Sequence, residues 1–97
     1  MNFKEKVFKI TKKIPKGKVT TYQEVARALG IPGAFRAVGN ALNKNNNKQV
    51  PCHRVVKSDG LVGGFNKGNR EKIKKLKSEG LVIENGRIDV GEYFYKL

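Results

Sequence analysis

Thr21-Tyr22-Gln23-Glu24-Val25-Ala26-Arg27-Ala28-Leu29-Gly30-Ile31-Pro32-Gly33-Ala34-Phe35-Arg36-Ala37-Val38-Gly39-Asn40-Ala41-Leu42-Asn43-Lys44 decides the fold of this 97-residue chain. Thr21 and Glu24 have capping-box spacing, so a helix starts there and runs to Gly30, a natural left-handed stop. Pro32-Gly33 turns the chain, and a further helix spans about Ala34 to Lys44. Ala34, Val38, Ala41 and Leu42 form its apolar face. Arg36, Asn40, Asn43 and Lys44 occupy the opposite face at i, i+4, i+7 and i+8. Two short helices joined by a tight turn, the second with a polar and basic outer face, read as a helix-turn-helix. Other helical hairpins share this pattern, so the face suggests a nucleic acid without requiring one.

Outward from that unit the periodicities change. Phe3, Val7, Ile10 and Ile14 step by helical intervals, and Pro15 and Gly17 close that first helix. Asn45 to Gln49 is too polar for a core and reads as loop. Val50 to Val56 is apolar but interrupted by reactive side chains, and Asp59-Gly60 and Gly63-Gly64 mark turns. Asn69 can cap a fourth helix that ends at Gly80, with Ile73 and Leu76 inward. Asn85-Gly86, set between β-branched residues in Leu81 to Val90, is a strong hairpin signal. The expectation is a mainly α chain: a winged-helix-like helix-turn-helix domain with a short C-terminal β-hairpin, one domain over residues 1–97.

Composition narrows the function. No apolar run reaches the ~18–20 residues of a membrane span, and no apolar signal segment follows Met1. One cysteine excludes an internal disulfide, and one cysteine with one histidine argues against a zinc site. No metal, cofactor or membrane is expected, and the setting reads as reducing and intracellular. Lys plus Arg is 21 against 8 Asp plus Glu, a formal charge of +13. Val25 to Ser58 contains no acidic residue, whereas Arg27, Arg36, Lys44, Lys48, Arg54 and Lys57 are basic. A face that meets phosphates would exclude carboxylates in this way. General solubility explains the total charge equally well, and the lysines at 4, 6, 12, 13 and 72 to 77 partly belong to that background.

The chemistry gathers at Pro51-Cys52-His53-Arg54. The only cysteine and only histidine are adjacent, with Arg54 and Lys57 close in sequence. Nearby positive charge favours the thiolate, which is the nucleophilic form. Neighbours on an extended segment point oppositely, so a turn or a bridging water is needed to couple them. A lone cysteine is otherwise commonly a small buried hydrophobe. Glu79 falls in the last turn of the fourth helix, where a carboxylate opposes the helix dipole. A partner such as the His53 N–H explains it, and a carboxylate there would orient the ring and raise its basicity.

Pro51-Cys52-His53-Arg54-Val55, preceded by Arg36-Ala37-Val38-Gly39-Asn40, resembles the O6-alkylguanine-DNA alkyltransferases, also called methylated-DNA–protein-cysteine methyltransferases. Gly17-Lys18-Val19-Thr20-Thr21-Tyr22, Gly60-Leu61-Val62-Gly63-Gly64-Phe65 and Glu79-Gly80, 79 − 52 = 27 residues past the cysteine, fit the same family. The resemblance runs from about Phe3 to Asp89 and corresponds to the family's C-terminal catalytic and DNA-binding domain.

The resemblance implies direct repair of O6-alkylguanine in duplex DNA, once per molecule, after the nucleotide is flipped out. Cys52 would accept the alkyl group, His53 would serve as base through a water, and Glu79 would hold His53. Tyr22 would contact the flipped nucleotide and a phosphate, and Asn45 would brace the turn carrying Cys52. Arg36 would fill the vacated stack from a helix lying in the minor groove. Thr21, Ala34, Phe35, Asn40, Asn43 and Lys44 would share the DNA face. Carbonyls of Cys52 and Val55 would accept from the guanine amino group, with Gly63, Phe65 and Asn66 completing the pocket. A monomer is implied, cytoplasmic and nucleoid-associated, or nuclear in a eukaryote.

Two departures matter. Phe65 stands where many members carry a tyrosine, keeping the ring but losing a hydroxyl donor, which implies slower transfer. The Arg36-to-Cys52 segment is one residue shorter than in some relatives, and Lys48-Gln49 replace apolar or proline residues at the pocket rim. The rival is an alkyltransferase-like protein that binds alkylated guanine without reacting and recruits other repair machinery. Such proteins typically lack the acceptor cysteine, and Cys52 favours the enzyme. A plain winged-helix regulator with an inert cysteine is a third, weaker reading.

Overall fold

The computed structural model describes residues 1–63 and 69–97, without the side chain of Asn69. The expectations for Gly64, Phe65, Asn66 and the Asn69 cap fall outside the described residues. The described residues include five α-helices, two 3-10 turns and four two-residue strands; the α-helices and strands are α1 Phe3–Thr11, β1 Thr20–Thr21, α2 Tyr22–Ala28, α3 Phe35–Asn43, β2 Val55–Val56, α4 Asn69–Ser78, β3 Ile83–Glu84, β4 Arg87–Ile88 and α5 Val90–Tyr93. The chain is mainly helical with small sheets. Among the described residues no helix is long and apolar enough to cross a membrane.

Helix α1 stops at Thr11, short of Pro15. Its last apolar step, Ile14, is reached through tight i→i+3 bonds from Lys13 N to Ile10 O and from Ile14 N to Thr11 O. Thr21 caps α2 by accepting from Glu24 N at 3.0 Å. The reciprocal half of the capping box is absent. The Glu24 carboxylate turns instead to Arg27, at 2.7 Å, and to Leu97 N, at 2.8 Å, tying the last described residue onto α2. A 3-10 turn at Pro32–Ala34 leads into α3, which buries Val38, Ala41 and Leu42 as its pattern demands. Asn85 at φ 54 and Gly86 at φ 73 make the hairpin turn between β3 and β4. A Cβ at Gly60 would meet Ile88 O at 2.5 Å, so no larger residue fits where this loop crosses the hairpin.

Two features depart from the sequence expectation. Val90 continues into the short α5, capped by Asp89, rather than extending the hairpin. More consequential is a parallel pair, Thr20 with Val55 and Thr21 with Val56, joining the start of α2 to the segment after the cysteine. Successive strand residues face opposite ways. Val55 accordingly packs with Val7, Val25, Val38 and Leu42, while Val56 packs with Val19, Val62, Leu76 and Ile88. The β1–β2 pair is thus the partition between two cores, and Cys52, His53 and Arg54 lie at its edge.

Candidate active site and nucleic-acid interface

Cys52–Arg54 form a 3-10 turn rather than an extended run. Pro51 sets its entry: Cys52 N donates to Val50 O at 2.8 Å and Arg54 N to Pro51 O at 2.9 Å. This is the kind of turn needed for a cysteine and the next histidine to serve one site. Asn45, buried, holds the preceding loop. Its Nδ2 donates to Asn47 O and Val50 O, both at 3.1 Å, and its Oδ1 accepts from Asn47 N at 2.9 Å.

His53 Nε2 lies 2.8 Å from Glu79 Oε2. A carboxylate can only accept, so Nε2 carries the proton and Nδ1 carries the lone pair when the ring is neutral. Burial pushes the His53 pKa below its usual value, outweighing the opposing pull of Glu79, and keeps the ring neutral at physiological pH. Burial alone would raise the Glu79 carboxyl. Hydrogen bonds from Arg54 and His53 overcome it and hold the group below the usual carboxylate range.

Arg54 does something the sequence did not suggest. Its Nε and Nη2 grip both Glu79 oxygens at 2.9 and 2.8 Å, and Nη1 donates to Ile14 O at 2.8 Å. The guanidinium is committed to clamping together the segments just after α1 and α4, behind His53. Its hydrogen bonds go to Glu79 and Ile14 O, although it lies close to Cys52 in sequence.

A second cation of the site is Lys72. In a lysine-rich helix its side chain is fully buried. Nζ donates to Val55 O at 2.6 Å and to Tyr22 Oη at 3.3 Å. Burial drives its pKa down to about 8, Lys57 adds to the fall, and negative charge on Cys52 opposes it. Tyr22 responds oppositely: burial first, then Cys52, raise its phenol to about 12. Lys72 therefore bridges α2, β2 and the cysteine turn. One signal could have revealed it: Lys72 lies four residues before Leu76, on the inward face of α4. Val55 O already holds this ammonium and Cys52 O accepts from Val55 N, so each carbonyl retains only its second lone pair.

Sharing Tyr22 with this cluster is an open groove of about 570 Å³, lined by Tyr22, Gln23, Phe35, Arg36, Gly39, Asn40, Asn43, Lys57, Ser58 and Asp59. Five of the expected DNA-face residues, Tyr22, Phe35, Arg36, Asn40 and Asn43, meet there. Thr21 is buried as the α2 cap, Ala34 is half-buried, and Lys44 is exposed at the end of α3. Gly63 is buried with φ 82. Among the described residues no group of acidic, histidine and cysteine side chains could hold a metal ion.

The sequence profile described as "6-O-methylguanine DNA methyltransferase, DNA binding domain" matches residues 2–81. The chain belongs to this family. Relatives within it include a bifunctional methyltransferase/endonuclease of Picrophilus torridus, 44% identical over 88 residues that make up 90% of this chain and 30% of the relative. A methylated-DNA–protein-cysteine methyltransferase of Sulfolobus acidocaldarius is 45% identical, over 86% of this chain and 52% of its own. The chain thus spans about a third to a half of these alkyltransferase-family relatives. Among solved structures, Schizosaccharomyces pombe Atl1 in complex with damaged DNA containing O6-carboxymethylguanine superposes with a TM-score of 0.89 at 33% identity, over 98% of this chain and 95% of that one. Mycobacterium tuberculosis OGT in complex with DNA gives 0.79 at 38% identity, over 82% and 49%.

Proposed function

We propose that this alkyltransferase-family chain repairs O6-alkylguanine in duplex DNA by moving the alkyl group irreversibly onto Cys52. The observation that carries the reading is the convergence of the sole cysteine with two proton-handling pairs, His53–Glu79 and Tyr22–Lys72, beside a groove that presents Arg36. The alkylated oxygen is out of reach inside the base stack, so the nucleotide has to be extruded, at a cost of a few kcal/mol. Arg36, on the outer face of α3, offsets part of that cost by occupying the gap. The helix lies in the minor groove, whose degenerate pattern suits a protein indifferent to sequence. The β3–β4 hairpin takes the place of a wing in this helix-turn-helix arrangement.

The chemistry follows from the proton positions. Neutral His53 accepts the thiol proton at Nδ1 through a water, while Glu79 stabilises the resulting imidazolium. The thiolate attacks the alkyl carbon in line, the S–C bond forms, and the C–O6 bond breaks with its electrons on guanine. Tyr22, held protonated, donates to the departing base, and Lys72 resupplies Tyr22 across their 3.3 Å contact. The thioether has no low-energy exit, so each molecule reacts once. Every group this sequence of steps requires is a side chain of the chain itself or a water.

A second reading is lesion binding without transfer, and the match to Atl1 over 98% of this chain, in a complex with damaged DNA containing O6-carboxymethylguanine, keeps it open to test. The DNA product separates the two. After incubation with duplex containing O6-methylguanine, nucleoside analysis should show guanine restored in an amount equal to the protein added. O6-methylguanine left intact at saturating protein would sink the transfer reading.

A further inference from the structure

Phe35 belongs to neither core. Phe3 and Phe8 pack against the core that α3 helps to build, whereas Phe35 is 36% exposed and lines the α3 groove beside Arg36. Among the described lining residues it is the one large side chain without a polar atom. Ile31, just before the 3-10 turn, is 44% exposed. Two of the five large apolar side chains exposed among the described residues thus flank this one turn, a clustering that single exposed residues scattered over a surface do not show. With Pro32 and Ala34 they give the start of α3 an apolar tip, inside a stretch that carries basic but no acidic residues. The tip is stiff. Ile31 N donates to Ala26 O at 3.0 Å, Ala34 N donates to Ile31 O at 2.9 Å, and Pro32 opens the turn.

Phosphates gain nothing from an exposed phenyl, but base faces do. Phe35 is the first residue of α3, and helical Cβ atoms tilt toward the N-terminus, so its side chain leaves from the helix start. Arg36 follows at roughly 100° around the axis, which makes the two side chains a fork at one end of the helix. Their Cα atoms lie about 3.8 Å apart, close to the ~3.4 Å rise of one base along a strand. A side chain next to one that fills a base's place therefore meets the neighbouring base. Extruding a nucleotide bares a face of that neighbour, and apolar side chains wedged at unstacked steps are a known means of covering such faces from the minor groove.

Resting on the reading that Arg36 fills the vacated stack, we infer that Phe35 is a wedge that stacks on the base flanking the lesion and holds the gap open while the nucleotide is out. It is a positioning residue: it touches the neighbour, not the reacting atoms. Every base offers a π face, so the phenyl adds grip without demanding a sequence. It neutralises no phosphate and releases no counterion, so its contribution leaves the salt dependence of binding as it was.

The test is made in the Cys52→Ala background, where binding is read without reaction. Phe35→Ala should weaken binding to duplex containing O6-methylguanine by about tenfold, the scale of losing one base–aromatic stack, and lower the flipping signal of 2-aminopurine at the lesion position. Phe35→Tyr should recover both. Affinity for undamaged duplex, the salt slope and the urea midpoint should stay at the parent's values, since the side chain is exposed and outside both cores. Binding and flipping equal to the parent's, a loss shared equally by undamaged duplex, or a loss that Phe35→Tyr does not recover would overturn the inference. Arg36→Ala in the same assays separates it from the reading beneath it. A silent Phe35→Ala beside an impaired Arg36→Ala removes the wedge and keeps the finger, and the reverse pattern keeps the wedge and removes the finger.

Discussion

Replacing Lys72 by methionine keeps most of the buried stem and removes its charge. In the folded chain the ammonium titrates at about 8, against 10.5 in the unfolded chain. That gap corresponds to about 3 kcal/mol by which burial disfavours the charged form at neutral pH. Against this stand its hydrogen bonds to Val55 O and Tyr22 Oη, about 1.5–3 kcal/mol together for a charged donor. The two nearly cancel, so Lys72→Met should change stability by no more than about 1–2 kcal/mol near pH 7. The pH dependence separates the variants more sharply. A depressed folded pKa means that the unfolded chain binds more protons between about 8 and 10.5, so stability rises with pH across that window. The parent should therefore gain about 2 kcal/mol, relative to Lys72→Met, between about pH 7 and about pH 9.5. Urea unfolding of both proteins at the two pH values reads this difference. Methyl transfer should meanwhile fall by about 10²-fold, the lower range for a positioned acid–base group. Parallel pH profiles of stability, or an unchanged transfer rate, would refute the role assigned to this lysine.

Three further outcomes are expected. Glu79→Gln should slow transfer by about 10²-fold and move the acid limb of the rate profile to lower pH, because the bond that raises the His53 pKa is weakened; stopped-flow transfer rates across pH would show an unchanged plateau if the dyad were idle. Arg36→Ala should reduce the 2-aminopurine flipping signal more than it reduces overall affinity, and a signal equal to the parent's would remove the finger role. Affinity for undamaged duplex should fall linearly on a log–log plot against salt, with a slope of about −0.9 per phosphate contact, and a flat line would contradict a phosphate-dominated face.

The elements legible in the sequence are those specified by neighbours. Thr21 as a cap, the Val38–Ala41–Leu42 stripe and the Asn85-Gly86 turn need only residues a few positions apart. The awkward placement of Glu79 at a helix end also pointed to His53 as its partner, and the two are in contact. What stayed hidden depends on non-local pairing. Four residues make the β1–β2 partition, too few for a periodicity, and their register joins segments 35 positions apart, 55 − 20 = 35. Lys72 was masked by the lysines around it, since residue type argues for exposure and only its spacing from Leu76 argues for burial. Arg54 and Lys57 are both near the thiol in sequence, and only folding shows that Arg54 reaches Glu79 and Ile14 O.

The central claim is that Cys52 is an alkyl acceptor, and intact-protein mass tests it most directly. Protein mixed with excess duplex containing O6-methylguanine should gain the mass of one methylene and then stop. The gain should map to the peptide holding Pro51 to Arg54, and Cys52→Ala should bind the same duplex with no gain. A parent protein that binds the lesion tightly while its mass never changes would contradict the account.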